Sequence, residues 1–258
     1  MKKMLFGFFC VVMIVCIIYS NQNYFGYTMG RGSIDNTNHG WEVKRNHDHK
    51  QPEIHENAKD IITKYNGIYT GDSDKKVIYL TIDLGYETGN TRAILDILKK
   101  QEVKATFFII QSYLEKNPDI VDRIVNEGHS LQNHTANYKH LNTLSEYLVK
   151  KEIMDMHNVI DKRYGIKMKY LRLPYEEWSE NVMKIANDTG YKTVFWSIAC
   201  VDWVEGTDSG YIYDSIMSNY HNGGVILTHT VSNGSPNALN MIIRDLKGKG
   251  FEFKILDM

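Results

Sequence analysis

The sequence is short of the features that settle a fold or a function by composition. It has three cysteines, and two of them, Cys10 and Cys16, sit in an N-terminal apolar run. Cys200 is left alone in the remainder, so neither a disulfide framework nor a cysteine-based metal centre can be built. Flanked by Ala199 and Val201, Cys200 reads as a small buried hydrophobe. Four prolines in 258 residues, with 43% hydrophobic and 24% charged residues, exclude a collagen-like or disordered chain and describe one globular domain. An excess of one charge is also missing. With 30 basic against 31 acidic residues, no Lys/Arg-rich run and no zinc-finger spacing, there is no electrostatic case for nucleic acid, and a neutral substrate fits better. What the chain does have is aromatic: 17 Tyr and 4 Trp, compatible with stacking on sugar rings as well as with filling a core.

Lys2 and Lys3 precede an uncharged run that ends at Tyr19, long for a signal peptide and slightly short for a full span. Residues 1–20 are expected to be a signal peptide or a membrane anchor, with attachment through residues 4–19 and the positive end inside. No small-x-small cleavage site follows, and Val15 before Cys16 is a poor lipidation context. Either way the chain is exported, anchored or secreted. Residues 21–66, rich in Asn, Gly, Asp and His near their start, are expected to be a polar linker or arm. The His47-Asp48-His49 stretch reads as solvated, although it could take up a metal adventitiously.

From Val77 onward, β-rich runs alternate with helical periodicity. Strands are expected at 77–82, 105–110, 130–133, 169–172, 192–197, 224–228 and 251–256. Between them helices are expected at 91–100, from Pro118 to Glu127, from a capping box at Thr143 to Arg163, from Ser179 to Gly190, near 211–220 and at 237–247. Seven alternations without a composition shift predict an α/β fold, a distorted seven-stranded parallel barrel over residues 67–258. An open doubly wound sheet is the alternative, and no Gly-x-Gly-x-x-Gly follows the first strand to support a dinucleotide site.

Active sites of parallel barrels form where the carboxyl ends of the strands converge. At five of those ends stand Asp83, His134, Arg172, Asp202 and His229. Each has a structural explanation by itself, as a turn residue, a core histidine or half of an ion pair. Five such residues on one rim point to acid–base chemistry.

These strand ends read TIDLGYE, NHTANY, RLPY, DW and LTH. In that order they resemble the polysaccharide deacetylase family, with KVIYLTIDLGYETGNT, VFWSIACVDW and VILTHTVSNGSPNAL most similar to the branch that modifies muramic acid on the way to the δ-lactam of spore-cortex peptidoglycan. The resemblance covers the chain from Val77 to its end, and the arm around His39-Gly-Trp41 is also similar. It implies metal-assisted hydrolysis of an acetamide on peptidoglycan glycan strands. On matching positions Asp83 is the base, His229 the acid, the Tyr175 N–H an oxyanion donor, Arg172 the partner of Asp83, Asp202 the partner of His229, and Trp203 a sugar-facing wall. The divalent metal, zinc being the candidate, is expected at His134.

The pattern is broken where the metal belongs. Leu84 stands at a ligand position and offers nothing to a metal, although the δ-lactam branch also departs from aspartate there. Tyr138 replaces the second histidine, four residues after His134, and a phenol is a poor ligand beside imidazole. His140 is the remaining nearby imidazole. Two readings follow: a de-N-acetylase with an eroded metal site, or a catalytically degenerate homologue that binds glycan or a partner protein.

Overall fold

The computed structural model describes residues 34–46 and 48–258; the expected signal or anchor at 1–20, Cys10, Cys16 and His47 lie outside the described residues. A compact unit runs from Asn36 to Met258. Its strands are β1 (His39–Gly40), β2 (Val77–Leu84), β3 (Thr106–Ile109), β4 (Ser130–Asn133), β5 (Tyr170–Leu171), β6 (Glu177–Trp178), β7 (Lys192–Thr193), β8 (Ile198–Ala199), β9 (Gly224–His229) and β10 (Glu252–Lys254). Its helices are α1 (Glu56–Lys64), α2 (Asn90–Lys100), α3 (Gln111–Lys116), α4 (Pro118–Asn126), α5 (Glu146–Tyr164), α6 (Glu180–Asp188), α7 (Ser209–Met217) and α8 (Ser235–Gly248).

The strands form the expected α/β architecture. Seven run parallel in the order β7-β5-β4-β3-β2-β9-β8. The two ends of this path, β7 and β8, are consecutive stretches of one segment, 192–199, so the sheet must curl into a distorted barrel and cannot lie open. β10 adds an eighth strand, paired with Val77–Tyr79 along the edge of β2 that β3 reaches only from Thr81 onward.

Side chains alternate across β2, as a pleated strand requires. Ile78, Leu80, Ile82 and Leu84 are buried in the large cluster shared with the helices. Tyr79 packs instead with Ile68, Phe108, Tyr170, Val194, Val225 and Leu256 in a second cluster, the barrel interior. Thr81 and Asp83 therefore share the inner face, and the register places Asp83 directly beside Phe108 on one side and His229 on the other. Nearly every residue of β2 is buried on either face, which is why its sequence reads as a continuous apolar run.

The chain differs from its periodicity in a few places. The strand expected at 192–197 is two short pieces, because Phe195 N–H turns to Ile68 O at 2.7 Å while Ser197 N–H turns to Val225 O at 3.0 Å. The cap of α5 is Ser145, whose hydroxyl accepts from Leu148 N–H at 3.4 Å; Thr143 belongs to a 3₁₀ turn before it. Helices α1 and α3 were not legible as periodic segments. The polar linker or surface arm expected over 21–66 is no such departure, and its described part lies against the domain: β1 pairs antiparallel with β6, Trp41 stacks on Phe195 at 4.3 Å, and its indole donates to Trp196 O at 2.8 Å. Among the described residues no helix is long and apolar enough to cross a membrane.

Gly223, at φ +71°, shows how closely the barrel wall is built, since a Cβ there would lie 2.6 Å from the carbonyl carbon of Gly71. Gly223→Ala is expected to cost about 2–3 kcal/mol, from an unfavourable positive φ and a backbone clash together. Urea unfolding monitored by far-UV circular dichroism checks it.

Candidate active site

Asp83 ends β2 on the inner face and is 7% exposed. Arg172, one residue past β5 and 2% exposed, donates from Nη1 to Asp83 Oδ1 at 2.8 Å. The guanidinium also donates from Nε to Val194 O at 3.3 Å and lies over the Phe108 ring, 4.4 Å from its centre. A planar cation held on two edges and one face leaves Asp83 no choice of orientation. Breaking such a buried pair from one side strands a charge, at a cost of about 3–5 kcal/mol.

Asp83 Oδ2, turned away from the arginine, lies 3.4 Å from His134 Nε2. The other imidazole nitrogen, Nδ1, is 2.9 Å from the Arg172 carbonyl. A carbonyl only accepts, so Nδ1 carries the hydrogen and Nε2 presents a lone pair to the cavity. Burial holds the His134 pKa below its ordinary value, against the pull of Asp83, so the ring is neutral.

Across the mouth, Asp202 is fully buried and holds His229 twice: Oδ2 accepts the His229 backbone N–H at 2.7 Å, and Oδ1 accepts from Nδ1 at 2.8 Å. Burial works against a charged imidazole here. The Asp202 hydrogen bond and charge, with Asp83 and Glu176 behind them, outweigh it and raise the His229 pKa above 6.5. Trp203, 48% exposed, meets the His229 ring edge-on at 5.5 Å. Asp83, His134, Arg172, Asp202, His229 and Trp203 thus line one mouth.

Two strained loops complete it. Thr135 and Tyr138 have positive φ in the first, Tyr175 and Glu176 in the second. The first loop is tied down by Asn133, whose Oδ1 accepts Thr135 N–H at 2.8 Å, and by buried Glu152, whose carboxylate accepts Asn137 N–H at 2.8 Å and pairs with Lys139 at 2.9 Å. The Tyr175 N–H, expected as a free oxyanion donor, donates to Tyr138 Oη at 3.2 Å. The positive φ at Tyr175 aims its N–H across the mouth, where the phenol already stands. Burial raises the Tyr138 pKa to about 12, so the phenol keeps its proton. His140 stacks on Tyr175 at 4.0 Å and contacts Glu177 at 2.6 Å, which holds it on the rim.

Sequence reasoning missed Glu176. It is half-buried and accepts from the Trp196 indole at 2.6 Å; burial raises its pKa, while Arg172 and His229 lower it and Asp83 raises it further. Its only signal was its place immediately after RLPY.

A divalent metal fits this arrangement poorly. Asp83 Oδ2 and His134 Nε2 are two facing lone-pair donors that a small cation would bridge, but a catalytic centre usually takes three protein ligands. Leu84 is fully buried in the cluster facing the helices. Tyr138 offers a protonated phenol, and among the described residues no three His, Cys, Asp or Glu side chains converge on a metal position.

Asp202→Asn is expected to lower the His229 pKa, because burial, the largest single effect, is then opposed only by the weaker charges of Asp83 and Glu176; imidazole nitrogen NMR titration reads this directly. The raised native value also means that the pair stabilises the fold in full below about pH 6.5 and progressively less as pH rises through that value. The stability gap between wild type and Asp202→Asn therefore narrows with rising pH.

Residues 70–194 match the family model described as polysaccharide deacetylase. Over 228 residues the chain is 36% identical to the peptidoglycan-N-acetylmuramic acid deacetylase PdaA of Bacillus subtilis (strain 168), with 87% of each chain covered. The solved structure of Bacillus subtilis PdaA, a family 4 carbohydrate esterase, superposes with a TM-score of 0.82 at 36% identity, covering 85% of this chain and 95% of that one. A family 4 pseudoenzyme from Bacillus anthracis superposes with a TM-score of 0.69 at 27% identity, covering 72% of this chain and 66% of that one.

Proposed function

The chain belongs to the polysaccharide deacetylase family, a family of hydrolytic de-N-acetylases, and we propose that it engages the N-acetyl group of peptidoglycan muramic acid as a de-N-acetylase-like hydrolase with an incomplete metal seat. The observation that carries this reading is the register of β2 against β9, which sets Asp83 beside His229 with separate buried partners, Arg172 and Asp202.

The chemistry follows from those two environments. Asp83 Oδ2 is free to take a proton from water, because Oδ1 is committed to Arg172. His229, whose hold on its proton Asp202 strengthens, is placed to give a proton to the departing amine. Arg172 and Asp202 act by positioning. Trp203 offers an aromatic face for the sugar beside His229. A glycan substrate of this kind lies outside the cytoplasm, which agrees with residues 4–19 acting as an export signal or anchor; a δ-lactam role in a spore-forming cell is part of the same proposal.

A second reading, a degenerate homologue that holds glycan or a partner protein without turnover, is favoured by Leu84 and Tyr138. Losing metal stabilisation removes several kcal/mol of transition-state support, and each 1.36 kcal/mol is about tenfold in rate.

The expected outcome is slow acetate release from N-acetylated, peptide-free peptidoglycan glycan, abolished by Asp83→Asn. Tyr138→His restores a second imidazole four residues after His134 and is expected to bring zinc uptake, measured by elemental analysis, with at least about 100-fold faster release. Leu84→Asp is the poorer test, since it places a carboxylate in the core shared with Ile78 and Leu80. No release from any glycan, with or without added metal, refutes the hydrolase reading.

A further inference from the structure

Tyr138 occupies a position where the family resemblance calls for a metal ligand, yet its surroundings suit a different task. Its oxygen accepts the Tyr175 N–H at 3.2 Å, which uses a lone pair and leaves the phenolic hydrogen unspent. Its ring stands edge-on to His134, with centres 4.9 Å apart, on the side of the mouth where Asp83 and His134 face each other. A hydroxyl that already accepts a hydrogen bond is a stronger donor through its own hydrogen, more so in a cavity of low dielectric. Glu152 and Asn133 hold the loop that carries it, so the donor is set in place before any ligand arrives.

We infer that Tyr138 donates its phenolic hydrogen to the oxygen of the bound acetamide, taking over from a metal the task of polarising that group. The Tyr175 N–H then acts on the acetamide oxygen through the phenol, as the first link of a two-bond chain. The inference rests on the reading that this mouth receives an N-acetyl group. In the reaction, water oxygen bonds to the acetamide carbon and its proton passes to Asp83 Oδ2. The carbonyl π pair moves onto oxygen, which accepts from Tyr138 and takes no proton from it. The pair returns as the C–N bond breaks, and the His229 imidazolium protonates the leaving nitrogen, giving acetic acid and a free amine; Asp83 then gives its proton to solvent, His229 takes one back, and the acid ionises to acetate in water.

The test uses the full chain, with and without chelator, and two probes, a peptide-free peptidoglycan tetrasaccharide and its chemically de-N-acetylated form, with binding read by calorimetry. Tyr138→Phe deletes one oxygen and keeps the ring. It is expected to weaken binding of the N-acetylated tetrasaccharide about three- to tenfold, the worth of one hydrogen bond, and to leave the de-N-acetylated form unchanged. If hydrolysis occurs, the same change lowers the rate about 100-fold, as for loss of an oxyanion donor. Unchanged affinity for the N-acetylated probe overturns the inference. So does an equal loss for both probes, which would make Tyr138 a plain wall, or loss of wild-type binding on adding chelator. Acetate release is scored separately: binding that depends on Tyr138 without release removes the hydrolase reading and leaves the donor role standing.

Discussion

The site depends on the buried contact between Asp83 and Arg172. The two residues lie 89 positions apart and meet only because the barrel curls. Their pairing offsets the cost of burying each charge and fixes which carboxylate oxygen faces the cavity. The Arg172 backbone carbonyl then sets the tautomer of His134, so one residue orients both the Asp83 carboxylate and the adjacent imidazole. Phe108, on the neighbouring strand, supports the guanidinium from below. Removing either partner strands the other's charge in the interior, so each residue holds the other in place.

The opposite side of the mouth repeats the principle with different chemistry. Asp202 binds both the backbone and the ring of His229, which locks the strand end and the imidazole together. The two titratable groups are driven to different tasks by their neighbours: a carboxylate beside a fixed cation, and an imidazole beside a fixed anion. What separates this chain from a complete metal hydrolase is the space between them. Of the two positions where ligands are expected, Leu84 is turned away into the outer core and Tyr138 brings a phenol that already accepts the Tyr175 N–H. The strained φ values at Thr135, Tyr138, Tyr175 and Glu176 lie on the two loops that bound this space, and they are held by buried Asn133 and Glu152 and by the Glu176–Trp196 contact.

Much of this was legible without coordinates. Strand positions followed from apolar runs, because a strand buried on both faces has nothing polar to interrupt it until the mouth, where Asp83 and His229 appear. Breaks between elements followed from Pro118, Ser179 and Gly190. The errors fell on short elements. α3 spans too few turns to show a period, α1 buries only Ala58 and Ile62 and so carries little apolar pattern, and β7 and β8 read as one strand because the bend between them is made by hydrogen bonds to Ile68 and Val225, far away in the chain.

The linear order of residues therefore determined the architecture, the family and the rim residues at 83, 134, 172, 202 and 229, since each depends on local pattern repeated at known spacing. Tertiary structure alone decided what those residues can do. It placed Leu84 in the outer core by strand parity and gave the Tyr175 N–H to Tyr138. It also brought Glu176 into the mouth through a left-handed turn. Those are outcomes of close packing between segments dozens of residues apart, and no periodicity within a segment encodes them.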